Sequence, residues 1–195
     1  MPSIENNPYA SVSEQLLKVA HESIGNGLIY GEALNINPAQ YPRLLQEQRA
    51  SFVTLHRAGK LRGCIGSLEP ARELIVDVSE NAFSAAFRDP RFSPLYAAEL
   101  VDLDIHIAIL SPLELLTCDS DAALLRQIVP HRDGLVLDDG RRRGTFLPSV
   151  WDSLSQPEEF LYQLKQKVGL PADCWTPTLK AYRYVVNEVP ARAKS

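Results

Sequence analysis

Val101, Leu103, Ile105, Ile107 and Ile109 alternate with Asp102, Asp104, His106 and Ala108, a period of two kept for nine residues. Successive side chains of an extended strand project to opposite faces, whereas helical neighbours recur every three or four residues, so this run reads as a strand. Its apolar row belongs in a core, and its other face carries Asp104 and His106.

Partners for that strand can be read on either side. Phe52-Val53-Thr54-Leu55-His56 and Leu61-Arg62-Gly63-Cys64-Ile65 flank Arg57-Ala58-Gly59-Lys60, a glycine-containing loop of hairpin length. The simplest antiparallel register sets Val53 opposite Cys64 and Leu55 opposite Arg62, and leaves His56 on the face away from Cys64. Leu135-Val136-Leu137, Asp138-Asp139-Gly140 and Thr145-Phe146-Leu147 read as a second hairpin, and a last strand runs from Leu179 to Val189. Helical spacing marks Ser13 to Ile24, closed by Gly25 and Gly27, and residues 71 to 88, where Ala71, Leu74, Ile75, Val78, Ala82, Ala85 and Ala86 share one stripe. Asn37-Pro38 starts a short helix through Leu44 and Leu45, and Asp119 to Val129 forms another. Ser155-Gln156-Pro157-Glu158 has capping-box spacing before a helix that Gly169 ends. Helices and strands mix without regular β-α-β alternation, so the predicted class is α+β, a largely antiparallel sheet with flanking helices. Pro90, Pro94, Pro112, Pro130 and Pro148 punctuate the middle. They suggest two lobes in a single domain over residues 1–195: a larger one from both chain ends, a smaller one from central residues, and a groove between them.

Composition narrows the function classes. With 195 residues, 45% apolar and 23% charged, the chain can bury one hydrophobic core. A net charge of −4 repels polyphosphate and leaves only Arg141-Arg142-Arg143 to meet it, so nucleic acid is not an expected partner. Cys64, Cys118 and Cys174 are odd in number and far apart, which fits neither a disulfide framework nor a structural zinc site. They read as reduced thiols. No apolar run approaches the roughly 20 residues that span a bilayer, and Met1-Pro2-Ser3-Ile4-Glu5 lacks an export signal. The expected location is the cytoplasm, with no membrane association.

The segment Leu61-Arg62-Gly63-Cys64-Ile65-Gly66 holds the chemistry-bearing candidates. On a strand Arg62 and Cys64 share a face, and a guanidinium beside a thiol favours the thiolate, the nucleophilic form. Arg62 and Cys64 are therefore the candidate catalytic pair, with Gly63, Ile65 and Gly66 as ligand-contact positions, because glycine lets a ligand or another backbone approach the strand. The competing reading is a strand crowded by the helix at 71 to 88, with Cys64 a small buried residue.

The runs Ser51-Phe52-Val53-Thr54-Leu55, Leu61-Arg62-Gly63-Cys64-Ile65-Gly66-Ser67, Ala85-Ala86-Phe87-Arg88-Asp89-Pro90-Arg91-Phe92, Gly144-Thr145-Phe146-Leu147-Pro148 before Val150-Trp151, and Lys167-Val168-Gly169-Leu170 together resemble the AMMECR-one domain family, in order and spacing over nearly the whole chain. Such proteins are also called AmmeMemoRadiSam system protein A. The resemblance implies a two-lobed α+β fold with the Leu-Arg-Gly-Cys-Ile-Gly signature at or near a groove. It also implies association with a Memo-like protein and a radical SAM protein. It implies no settled activity; an enzymatic role and a link to RNA modification have been suggested for the family. Ser149 replaces an expected glutamine and Ala108 an often-found serine, so neither position takes a family role.

Asp89-Pro90-Arg91-Phe92 is a second candidate, with two readings. Arg91 has the planar fork that suits carboxylate or phosphate, which would make Asp89 and Arg91 ligand-binding. Alternatively, Asp89 stops the helix and accepts from Arg91 while Phe92 anchors the loop. His106, beside Asp104, and His131, in a loop, are candidate groove residues, whereas no histidine pair has metal-ligand spacing. No phosphate loop, dinucleotide fingerprint, nucleophile-elbow serine or iron–sulfur cysteine set occurs, and no cofactor is implied. Two functions stand: an enzyme using Cys64, or a binding and adaptor module that receives a peptide or a partner's loop.

Overall fold

Residues 7–171 and 175–189 are described by a computed structural model. They fall into two compact units, one holding the chain up to Leu110 together with its end from Asn187, the other holding Ser111–Val186. Pairing is antiparallel in every described ladder, which gives the α+β class expected of the sequence.

In the first unit, α1 (Ser13–Tyr30) and α2 (Arg43–Gln46) precede β1 (Ser51–Arg57), β2 (Lys60–Gly66), α3 (Leu74–Phe87) and β3 (Leu103–Leu110). The sheet runs β2-β1-β3, and the alternation foreseen in β3 is present: Ile105, Ile107 and Ile109 are buried while His106 and Ala108 are not. Val53 and Leu55 of β1 join them under Leu74, Ile75, Val78, Ala82, Ala85 and Ala86 of α3. Each such branched side chain contributes about 2 kcal/mol on burial. The first helix does not stop at Gly25 or Gly27 but at Gly31, whose φ of 77° closes it. Gly27 is there for packing: a Cβ would strike Phe83 and Phe87 of α3, so tertiary contact overrides the breaker signal. The start of β1 is tied to α3 by buried polar groups. Ser51 donates to Asp77 through its N–H (3.0 Å) and hydroxyl (2.6 Å), Asn81 donates to Asp77 (2.8 Å) and to the Ser51 carbonyl (3.1 Å), and Arg72 reaches the other Asp77 oxygen (2.9 Å). Every buried member is satisfied.

In the second unit, β4 (Glu114–Leu116), α4 (Asp121–Leu125), β5 (Asp133–Asp138), β6 (Arg143–Phe146) and α5 (Pro157–Val168) lead to β7 (Lys180–Val189), whose end from Asn187 belongs to the first unit. Ala181, Tyr182 and Arg183 of β7 pair with β4 on one side and β5 on the other, and β6 continues beyond β5 as the expected second hairpin. Trp151 stacks on Phe160 at 3.6 Å and sits in a core with Leu135, Leu137 and Leu164. Lys165 is almost wholly buried and paired with Asp121 at 2.6 Å. Two local readings change. Gln156, not Ser155, is the residue before α5, and no side chain caps it; α4 ends at Leu125, because Val129 gives its N–H to the Asp133 carboxylate instead of a helical carbonyl. No described helix is long and apolar enough to cross a membrane.

Candidate functional site

The hairpin turn between β1 and β2 is only Ala58-Gly59, with φ of 49° and 72°, the left-handed pair that a two-residue turn requires. His56 faces Leu61 as expected, but the next pair is Leu55 with Gly63, so Arg62 is an extra residue, a β-bulge. Beyond it every pairing moves by one. Thr54, not Val53, lies opposite Cys64, and Leu55 lies opposite Gly63, not Arg62. The slip also brings His56 onto the face it had been expected to avoid, since Thr54 and His56 alternate together on β1.

Gly63 and Gly66 serve the approach of backbone. A Cβ on Gly63 would run into the Ala85 carbonyl of α3, and one on Gly66 into the Ser51 carbonyl of β1. Gly63 and Ile65 thus face the core side, with Ile65 packed against it, and Cys64 faces the opposite side, half-buried. Its sulfur lies 3.2 Å from Thr54 Oγ1. Across β1, Thr54 is in register with His106 of β3, so Cys64, Thr54 and His106 form a row over three strands. The His56 ring meets the His106 ring edge-on at 5.2 Å, and His56 Nδ1 is buried without a hydrogen-bond partner. Burial, with His56 adding and Asp104 opposing, pushes the His106 pKa below its ordinary value.

Asp89 and Arg91 stand where a further strand would pair with the edge of β2. The Cys64 N–H donates to Asp89 Oδ2 at 2.9 Å, and Arg91 Nη2 donates to the Cys64 carbonyl at 3.2 Å. Arg91 also grips Asp89 through its backbone N–H (3.1 Å), Nε (2.9 Å) and Nη2 (2.7 Å). Those bonds hold the Asp89 carboxyl well below the usual carboxylate range, against the opposing pull of burial. The buried anchor of this loop is Leu95, whose N–H donates to the Ala86 carbonyl; Phe92 is only half-buried.

The Arg62 guanidinium hydrogen-bonds to a carboxylate and not to the thiol. It forms a bidentate pair with Glu99, Nε and Nη2 each at 2.9 Å, in the 3-10 turn Ala97–Asp102. Glu99 accepts a further bond from the Tyr96 N–H at 3.0 Å, and its carboxyl is lowered to about 2, first by Arg62. Sequence reasoning missed Glu99 and Thr54. The first is 37 residues away with no local pattern to link it, and the second depends on a one-residue bulge. His131 belongs to the other unit, exposed, with φ of 62° and Nδ1 3.9 Å from Asp152. Cys118 is half-buried in that unit, and Cys174 lies outside the described residues.

The sequence model of the AMMECR1 family matches residues 17–189. A protein of Methanothermobacter thermautotrophicus is 39% identical over 175 residues, covering 87% of this chain and 88% of that protein. One from Methanocaldococcus jannaschii is 39% identical over 165 residues, covering 79% and 80%. The crystal structure of an uncharacterized protein from Pyrococcus horikoshii superposes with a TM-score of 0.78 at 33% identity, covering 91% of this chain and 90% of that one.

Proposed function

This chain belongs to the AMMECR1 family, and we propose that it works as a non-catalytic binding module whose contact surface surrounds Cys64. The observation that carries this reading is the sulfur's environment. Among the described residues, Cys64 Sγ has Thr54 Oγ1 as its hydrogen-bond partner at 3.2 Å, with no imidazole or carboxylate bonded to it. A nucleophilic thiol needs a base within hydrogen-bond reach or a cation beside it. The two cations that could serve are both neutralised, Arg62 by Glu99 and Arg91 by Asp89, and the Asp89 carboxylate also holds the Cys64 N–H. What remains is a polar row of Cys64, Thr54, His106 and His56 on the face of the sheet turned away from α3, suited to contact with a partner's loop.

The partners proposed are a Memo-like protein and a radical SAM protein, as the family resemblance implies, in the cytoplasm. The test is sedimentation of the purified chain with each of these proteins. A complex that Thr54→Arg abolishes, while circular dichroism stays unchanged, supports the reading. Turnover of any substrate through a covalent adduct on Cys64 contradicts it.

A further inference from the structure

We propose that the turn end of the β1–β2 hairpin binds a small oxyanion, a carboxylate or phosphate group, in a cavity of about 600 Å³ whose walls include Arg57, Lys60, Leu61, Arg62, Glu99 and Asp102. This deepens the binding-module reading and rests on it, by naming a ligand chemistry for the same hairpin.

Three cations line the cavity against two carboxylates. Glu99 spends both oxygens on Arg62 Nε and Nη2, and Arg57 Nη1 lies 3.4 Å from the first of them. That pair fixes the plane of the Arg62 guanidinium. Its remaining nitrogen, Nη1, is buried and has no hydrogen-bond partner among the described residues. A charged donor left in that state is costly, and a lone-pair-rich oxygen relieves it. A cationic or purely apolar ligand offers it nothing. Lys60 forms no ion pair among the described residues and is exposed, as is about half of the Arg57 side chain, so both are available to close on an anion at the cavity wall beside Arg62. Asp102, exposed on the same wall, leaves the lining with one net positive charge, which matches a single oxyanion group and opposes a polyphosphate. Leu61, 41% exposed, offers an apolar wall to whatever carries that group.

The test is a nuclear magnetic resonance titration of the full chain with sodium phosphate and, separately, sodium acetate, against sodium chloride at matched ionic strength. The resonances followed are the Gly59 amide and the Arg62 Nε–H. Saturable shifts with phosphate or acetate but not chloride are expected, the stronger of the two identifying the group. Affinity should fall about tenfold in Lys60→Gln and in Arg57→Gln, both exposed positions whose replacement leaves the Arg62–Glu99 pair intact. Non-saturating shifts with both salts, or affinity in both variants unchanged from that of the parent chain, overturn the proposal. Because no partner protein is needed, a flat titration beside an intact complex removes only this inference, and anion binding without any complex removes only the earlier reading.

Discussion

The backbone N–H of Cys64 donates to the carboxylate of Asp89 at 2.9 Å, while its thiol meets Thr54. One residue is therefore held by its main chain from one side and by its side chain from another. Asp89 is buried and accepts from Cys64 and three times from Arg91, so Asp89→Ala strands a strand-edge donor and a guanidinium together. The expected cost is about 2–3 kcal/mol in urea denaturation, since four part-buried bonds lose their common acceptor. Arg91→Gln removes a half-exposed partner and should cost about 1 kcal/mol or less. Equal losses would mean that the exposed guanidinium, not the buried carboxylate, anchors the edge.

Glycines of this chain divide by what a methyl group would meet. Gly63→Ala drives a Cβ into the Ala85 carbonyl, and backbone cannot yield as a side chain can. The variant should lose at least about 2 kcal/mol or fail to fold. Gly25→Ala puts a methyl group into open space inside α1 and should gain about 0.5–1 kcal/mol. Melting temperatures of the two variants should move in opposite directions.

The strand β3 and the stripe of α3 were legible because a period of two and a period of 3.6 are local signals carried by Ile105, Ile107, Ile109 and by Leu74, Val78, Ala82. The hairpin was legible too, but not its register. A bulge at Arg62 depends on how Arg62 reaches Glu99, far away in sequence, and nothing in Leu61-Arg62-Gly63 announces it. The same gap hid the neighbours of Cys64. Shared strand faces suggest Arg62 beside the thiol, whereas ion pairing draws the guanidinium to Glu99. Gly27 and Ser155 were misread for a related reason: breaker and cap signals are weak beside the packing of Phe83 and Phe87 or the fixed φ of Pro157.

Acid should unfold the chain in two stages of different origin. Burial lowers the His106 pKa below 6.5, with His56 adding and Asp104 opposing. The unfolded chain then takes up that proton first, so the contribution is full above 6.5 and falls away as pH drops. Glu99, lowered to about 2 from 4.5 by Arg62, contributes fully above 4.5 and loses its share as pH falls toward 2. Urea midpoints measured from about pH 8 to pH 3 should decline across both ranges. His106→Gln should flatten the first decline and spare the second. A variant whose upper decline is unchanged would locate that titration in another group.

Arg62→Ala should cost more stability than its exposure suggests and yet leave the chemistry of Cys64 alone. Removing the guanidinium leaves Glu99 buried with only the Tyr96 N–H and the single, longer contact to half-exposed Arg57, a loss of about 3 kcal/mol for a broken, largely buried pair. The thiol does not share in that loss, because its partner is Thr54. Cys64 should react with iodoacetamide ahead of Cys118, whose thiol burial pushes up with Asp119 and Asp121 adding. The cause of that order is suppression at Cys118. Arg62→Ala, kept folded below its melting temperature, should therefore change the Cys64 rate by less than about twofold. Cys64→Ser, whose hydroxyl can keep the bond to Thr54, should cost less than about 1 kcal/mol. Mass-spectrometric labelling of the native protein, read site by site, checks both rates. A tenfold slowing at Cys64 in the folded Arg62 variant would show that the guanidinium stabilises the thiolate after all, and the non-catalytic reading of this surface would have to be given up.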